Sequence, residues 1–248
     1  MIDIEKLKSH FKDFKNSGLA NSDSIKDRTD AFERFCQKGI PTLKQEYWKY
    51  SPLSKDLAQF ENLKFAVNED EYFDKTNYEK FDHHQIVLKD GILISEDVNE
   101  AGLEITKYKK DNFYEIKKNQ ILDFNNAFFT SGYEIKVEKN YKVKKPIVIY
   151  NYFSKNFVGN NINNKNFIFL DENSKAEIYE KNIFDKENLI FFTKNLDIEL
   201  KKDASLVKYY LNSTNKNKTI YNFIRSKLGP NSQFEKFNFS HNVSSCRD

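Results

Sequence analysis

The side chains that could carry chemistry are few and far apart. The 248 residues hold two cysteines, Cys36 and Cys246, and four histidines. His83 and His84 are adjacent, so on a strand they face opposite sides, and a solvated pair is expected. His241 and Cys246 lie five positions apart, a spacing that joins a metal or cluster site only if the chain bends or a partner supplies ligands. Cys36 follows Phe32 and Phe35 at helical spacing and reads as a small apolar core residue, with no Cys or His near it at zinc spacing. Carboxylates are too many and too scattered to single out an acid–base pair. No Gly-x-Ser-x-Gly occurs, and the nearest approach to a phosphate loop, "KLGPNS" (227–232), belongs to a repeat. No catalytic, cofactor-binding or metal-binding residue is therefore nominated, and the chain reads as a scaffold, not an enzyme.

The elements that would hold such residues declare themselves by repetition. "IFLDENSKAEIYE" (168–180), "IELKKDASLVKYYL" (198–211) and "SKLGPNSQFEKFNF" (226–239) align. Leu170, Leu200 and Leu228 correspond, then Asn173, Asp203 and Asn231, then Ser174, Ala204 and Ser232, then Ala176, Leu206 and Phe234. A weaker copy lies upstream in "IKVEKNYKVKKP", where Val137, Asn140 and Val143 take the Leu, Asn and Ala positions. Each copy reads as strand, tight corner, strand: alternation on both sides of an Asn or Asp that tolerates positive φ, with a small residue to follow. Copies about 30 residues apart, with no long helices between them, predict a parallel β-helix. A β-sandwich, with hairpins every 8 to 12 residues or so, is the alternative.

Composition narrows the function. Forty basic residues against 37 acidic ones give a net charge of +3, too even for a dedicated nucleic-acid surface. The run "NNINNKN" (160–166) reads as a solvated loop. The opening "MIDIEKLKSHFKDF" is charged throughout, unlike a signal peptide, and no apolar run is long enough to span a bilayer. Two cysteines exclude a disulfide scaffold, so a reducing cytoplasm is the expected compartment.

Before the repeats the texture is helical. Ile4, Leu7, Phe11 and Phe14 mark an amphipathic helix ending near Gly18. A second starts at Ser24 as N-cap with Asp27 at N3, carries Ile25, Arg28, Ala31, Phe32 and Phe35, and stops at Gly39 before Pro41. "TLKQEYWKYSPL" (42–53) predicts a short aromatic helix or turn with Trp48 as a core anchor. Residues 54–82 read as a connector. From Gln85 strands take over: "QIVLKDGILI" is a hairpin around Asp90-Gly91, "GLEITKY" is extended, and "ILDFNNAFFTSGYEIKV" (121–137) holds a helical turn before Gly132. The expected organisation is an N-terminal helical domain and connector over 1–82 and a β-helix core over 83–248.

Two stretches resemble a known family. "RTDAFERFCQKGIPTLKQEYWKYSPL", through Arg28, Ala31, Phe35, Gly39, Pro41, Thr42, Glu46, Trp48, Tyr50 and Leu53, is similar to the N-terminal signature of the SufD family of the SUF iron–sulfur cluster assembly system. Ser51 stands where that family usually has Thr. "LDFNNAFFTSGYEIKV" looks like the family's entry into its core, with Asn125, Ala127, Gly132 and Val137 in place. The resemblance runs from about residue 25 to the end. It implies a right-handed parallel β-helix that pairs with a SufB-like subunit and binds a SufC-like ATPase through C-terminal helices. It implies an iron–sulfur cluster at the level of the complex and no cofactor in this chain alone. SufB-like relatives typically bring more cysteines. The family pattern continues past the third clear repeat, so a truncated or shortened member, with an unpaired final coil prone to self-association, is expected; no cluster ligand is carried over. Two other classes remain open: a β-helix enzyme acting on polysaccharides and a pure interaction module. The missing signal peptide and the helical signature weigh against the first.

Overall fold

The structure, a computed structural model, describes residues 4–17, 25–42, 44, 45, 48, 49, 78–108, 119–154, 161–184, 190–213, 218–241 and 245–247. Two helices open it, α1 (Ile4–Asn16) and α2 (Ile25–Lys38). Leu7, Phe11 and Phe14 are the buried stripe of α1, while Ile4 at its start is exposed. In α2 the buried stripe is Arg28, Ala31, Phe32 and Phe35. Gly39 ends it as expected, at φ +66°, donating its N–H to the Phe35 carbonyl at 2.8 Å. The proposed cap Ser24 lies outside the described residues, as does most of the connector.

The remainder is mainly β, with 51% of the described residues in strands and a β-solenoid of about three turns. In order come β1 (His84–Lys89), β2 (Ile92–Asp97), β3 (Leu103–Lys107), α3 (Gln120–Phe128), β4 (Tyr133–Val137), β5 (Ile147–Phe153), β6 (Asn161–Leu170), β7 (Lys175–Phe184), β8 (Ile190–Leu200), β9 (Ser205–Ser213), β10 (Lys218–Leu228), β11 (Gln233–His241) and β12 (Ser245–Arg247). They form two sheets. One runs β2-β1-β5-β7-β9-β11 and the other β3-β4-β6-β8-β10-β12. Only β1–β2 and β3–β4 pair antiparallel; every other pairing is parallel. From β4 onward successive strands alternate between the sheets, which is the coil that the repeat required, and the sandwich is excluded.

The repeat positions coincide with the register. Val137 sits beside Leu170, Leu170 beside Leu200 and Leu200 beside Leu228. Ala176, Leu206 and Phe234 are in line on the other sheet. The corners stack as direct neighbours: Asn140, Asn173, Asp203 and Asn231 all have φ between +55° and +61°. The Asn140 N–H donates to the Glu172 carbonyl (2.8 Å), Asn173 to Lys202 and Asp203 to Pro230 (both 2.9 Å). Only Asn, Asp and Gly enter this backbone region without steric penalty or with a small one, which is why the corners share these residue types. Ser174 and Ser232 each turn a hydroxyl back to the carbonyl three residues earlier (2.7 and 2.8 Å). The Asp90-Gly91 hairpin also forms, with both residues at positive φ, as a type I′ turn demands.

One segment departs from its reading. Residues 161–166 of the Asn-rich run are not a solvated loop: they build β6, and all six are at least 96% buried. A sequence rule that equates Asn with solvent fails where strands stack and neighbouring coils offer buried amides partners. Asn164, for example, donates to the carbonyls of Gly91 (2.6 Å) and Ser131 (3.0 Å).

The helices are not a separate body. Leu7, Phe11, Phe14, Phe32, Phe35 and Trp48 share one apolar cluster with Phe124 and Phe128 of α3 and with Phe191 and Tyr221 on the outer face of the second sheet. Trp48 is 2% exposed and packs on Tyr221, ring centroids 5.8 Å apart, which agrees with its reading as a core anchor.

Candidate functional site

Alternation along each strand sends one residue in two to the solenoid interior, and the interior is layered. At the corner end Ile135, Ile149, Ile168, Ile178, Ile198 and their neighbours make an apolar core. At the opposite end Phe153, Ile162, Ile190, Phe192 and Ile220 close a smaller one. Between them lies a polar belt. Asn151, Asn182 and Asn212 are in register on β5, β7 and β9 and form an amide ladder: Asn151 Nδ2 donates to Asn182 Oδ1 (2.9 Å) and Asn182 Nδ2 to Asn212 Oδ1 (2.5 Å). Such a ladder satisfies each amide with its copy on the next coil.

Beside the ladder stand three charged groups. Glu180 of β7 accepts from Asn151 Nδ2 at 2.8 Å and from Lys194 Nζ through the same oxygen. Its other oxygen is 2.9 Å from Lys208 Nζ. The three side chains are 2%, 5% and 0% exposed, in that order. Burial alone would raise the Glu180 pKa, but the two ammonium groups outweigh it and hold it at about 2. Burial lowers that of Lys208, against the pull of Glu180. Both amines lie 4.8 Å from the centroid of the Tyr210 ring, close enough for cation–π attraction. The buried Tyr133 hydroxyl lines the same chamber without a hydrogen-bond partner, its pKa raised by burial and then by Glu180. The space between these groups does not admit a water molecule.

A groove of about 270 Å³ runs along the outer face of the second sheet, over Phe167 and between Asp197, Glu199, Arg225 and Lys227. Its charges are matched within it. Arg225 Nε donates to Asp197 at 2.7 Å, and Glu199 meets Lys201 at 2.7 Å and Lys227 at 3.6 Å.

The cysteines and histidines weighed from sequence are not brought together. Cys36 is a partly buried free thiol against the helix cluster, its pKa raised by burial. The backbone of Cys246 pairs with Ile220; its side chain lies outside the described residues. His241 is on exposed β11. The pair is not solvated as a pair: His84 is buried, while His83, just before β1, is half-buried. His84 is 4% exposed and its Nε2 lies 2.6 Å from Glu100, whose other oxygen accepts from the Lys144 N–H at 2.9 Å. His83 contacts the Phe81 carbonyl and the Tyr150 hydroxyl. Among the described residues no group of three or more His, Cys, Asp or Glu could hold a metal ion, and no helix is long and apolar enough to cross a membrane.

Glu180, Lys194 and Lys208 were missed because each looks like an ordinary surface charge. The signal was in the repeat. Extending the alignment of Ala176 with Leu206 a few residues further puts Asn182 over Asn212, and two superposed amides on an inward-facing parity mark a ladder. No family model matches the chain, and no curated protein matches it.

Proposed function

We propose that the chain is a non-catalytic scaffold subunit of the SufD type, acting in the cytoplasm in iron–sulfur cluster assembly with SufB-like and SufC-like partners. The supporting observation is a contact between the two stretches that carry the resemblance. Arg28, from the first, is 1% exposed and donates Nη1 to the carbonyls of Phe129 (2.7 Å) and Ala127 (3.4 Å) in the second, with Phe129 stacked 3.7 Å beneath it. A guanidinium that closes the end of a helix 99 residues away makes the two motifs one structural unit. That joins a helical N-terminal layer to a β-solenoid, the pairing that the SufD resemblance implies. On this reading the cluster is cargo of the complex, and no residue here is assigned to it.

The competing polysaccharide-enzyme reading would rest on Asp197 and Glu199 in the outer groove. Both carboxylates are held in ion pairs, which suits them poorly to proton transfer. Pull-down of the chain against SufB and SufC homologues, run beside a polysaccharide-cleavage assay, separates the readings. Capture of both homologues without cleavage is expected. Cleavage that is lost in Glu199→Gln, or failure to capture either homologue, overturns the proposal.

A further inference from the structure

The interior belt carries an unequal count of charges. Glu180 is met by two amines. The groups around Glu180 and the two amines come from several elements. Ile178 and Glu180 lie on β7, Lys194 on β8, Tyr210 on β9 itself, Tyr133 on β4, Asn222 on β10, and Lys236 of β11 is its in-register neighbour. Glu180 is the one carboxylate among them, and it already accepts from Lys194 and Asn151. An ammonium has three N–H groups to place. Lys208 Nζ has one oxygen, at 2.9 Å, and is otherwise without an acceptor among the described residues. Its side chain is 0% exposed.

We infer that this cluster is a proton-operated clasp: Lys208 is the member that gives up its proton, leaving the Lys194–Glu180 ion pair, and the proton it takes back loosens β9 from the neighbouring coil. A buried charge without a full partner is relieved by losing its proton. Lys208 is the amine that does so, because it is the more deeply buried of the two and has the fewer contacts. The direction of its pKa, lowered first by burial, agrees.

The sign of the effect follows. An unfolded lysine keeps its proton up to about 10.5. Between the lower folded pKa and that value the unfolded chain holds one proton more than the folded one. Folding stability therefore rises with pH across this window, about tenfold in the equilibrium constant per pH unit, and levels off above it. Below the folded pKa the full penalty is in place. Tyrosines whose pKa is raised, such as Tyr78, Tyr150 and Tyr179, act oppositely near and above pH 10, so the clasp is read as a difference between variants.

Denaturant unfolding of the whole chain from pH 7 to 10, wild type against Lys208→Met, tests it. The wild-type equilibrium constant should gain up to tenfold per pH unit relative to the variant. Superimposable pH profiles overturn the proposal. Nitrogen-15 NMR of the lysine side chains gives an answer that needs no variant to fold: Lys208 should pass from ammonium to amine at a lower pH than the exposed lysines, and a shared midpoint overturns the proposal. Lys194→Met supplies the control that a merely packed lysine would not pass. With Lys194 gone, Glu180 has a single cation, and the Lys208 midpoint should move back up toward that of the exposed lysines.

Discussion

Glu180 accepts from a lysine and an amide and stands 2.9 Å from a second lysine amine, and all four side chains are buried. Removing one member of such a set leaves buried charge without a partner, which costs more than the set contributes. Glu180→Gln should destabilise the fold by about 3–5 kcal/mol in urea unfolding. Its pH dependence is distinct from that of Lys208. Because the folded pKa of about 2 lies below the ordinary 4.5, the contribution of Glu180 is fully present above pH 4.5 and fades as pH falls toward 2. Acid titration of stability should therefore be steeper in the wild type than in Glu180→Gln between those two values; equal slopes would assign the acid sensitivity elsewhere. Residue roles of this kind were the least legible feature of the sequence. A lysine or glutamate has the same letter on a surface and in a core, and only its strand parity distinguishes the two.

At the scale of the element, the corner is the part that the residue types determine. Asn173 holds φ +55°, donates its N–H to the next coil and passes its side-chain amide to Asn140 Oδ1 at 3.0 Å. Asn173→Ala removes the side-chain amide that lets Asn tolerate the left-handed region and should cost about 1–2 kcal/mol, while Asn173→Gly should cost less; calorimetric melting of the two variants orders them. A tighter constraint operates at Gly132, which precedes β4. A Cβ there would stand 1.7 Å from the Lys165 carbonyl oxygen. Gly132→Ala must push β4 off β6 and should lower the melting temperature more than Asn173→Ala does. The corners, the hairpin and the Gly39 stop of α2 were readable in advance because they depend on local φ, which Gly, Asn and Asp report directly. The identity of β6 was not, since its amides are satisfied by strands distant in sequence.

For the whole molecule, the consequential contact is between the N-terminal helices and the solenoid flank. Trp48 joins a cluster that includes Phe124, Phe191 and Tyr221, contributed by α3, β8 and β10. Trp48→Ala should cost about 3–5 kcal/mol by leaving a large void in that layer. A chain beginning at residue 78 would lay the same aromatics bare and should aggregate or bind a hydrophobic dye where the full chain does not. Dye binding unchanged from that of the full chain would mean that the two parts are energetically independent. The parallel β-helix with a helical prelude was legible from a period of about 30 residues and a change of texture near residue 83. The joining of the two parts was not, because the aromatic positions that meet are separated by most of the chain.

The in-register corners bear on how such a chain can change length. Each turn begins and ends at the same angular position, so a segment such as 171–200 hands the backbone on in the orientation in which it received it. A tandem copy of that segment would lengthen the column while every inward row stayed in line. Adding a single residue at the same place would turn the polar belt outward and the surface charges inward. Growth and loss by whole turns are thus the length changes that this architecture tolerates. A duplicated turn would carry a second Glu180 and Lys194 into the column, bringing the carboxylates of the belt to two against three amines.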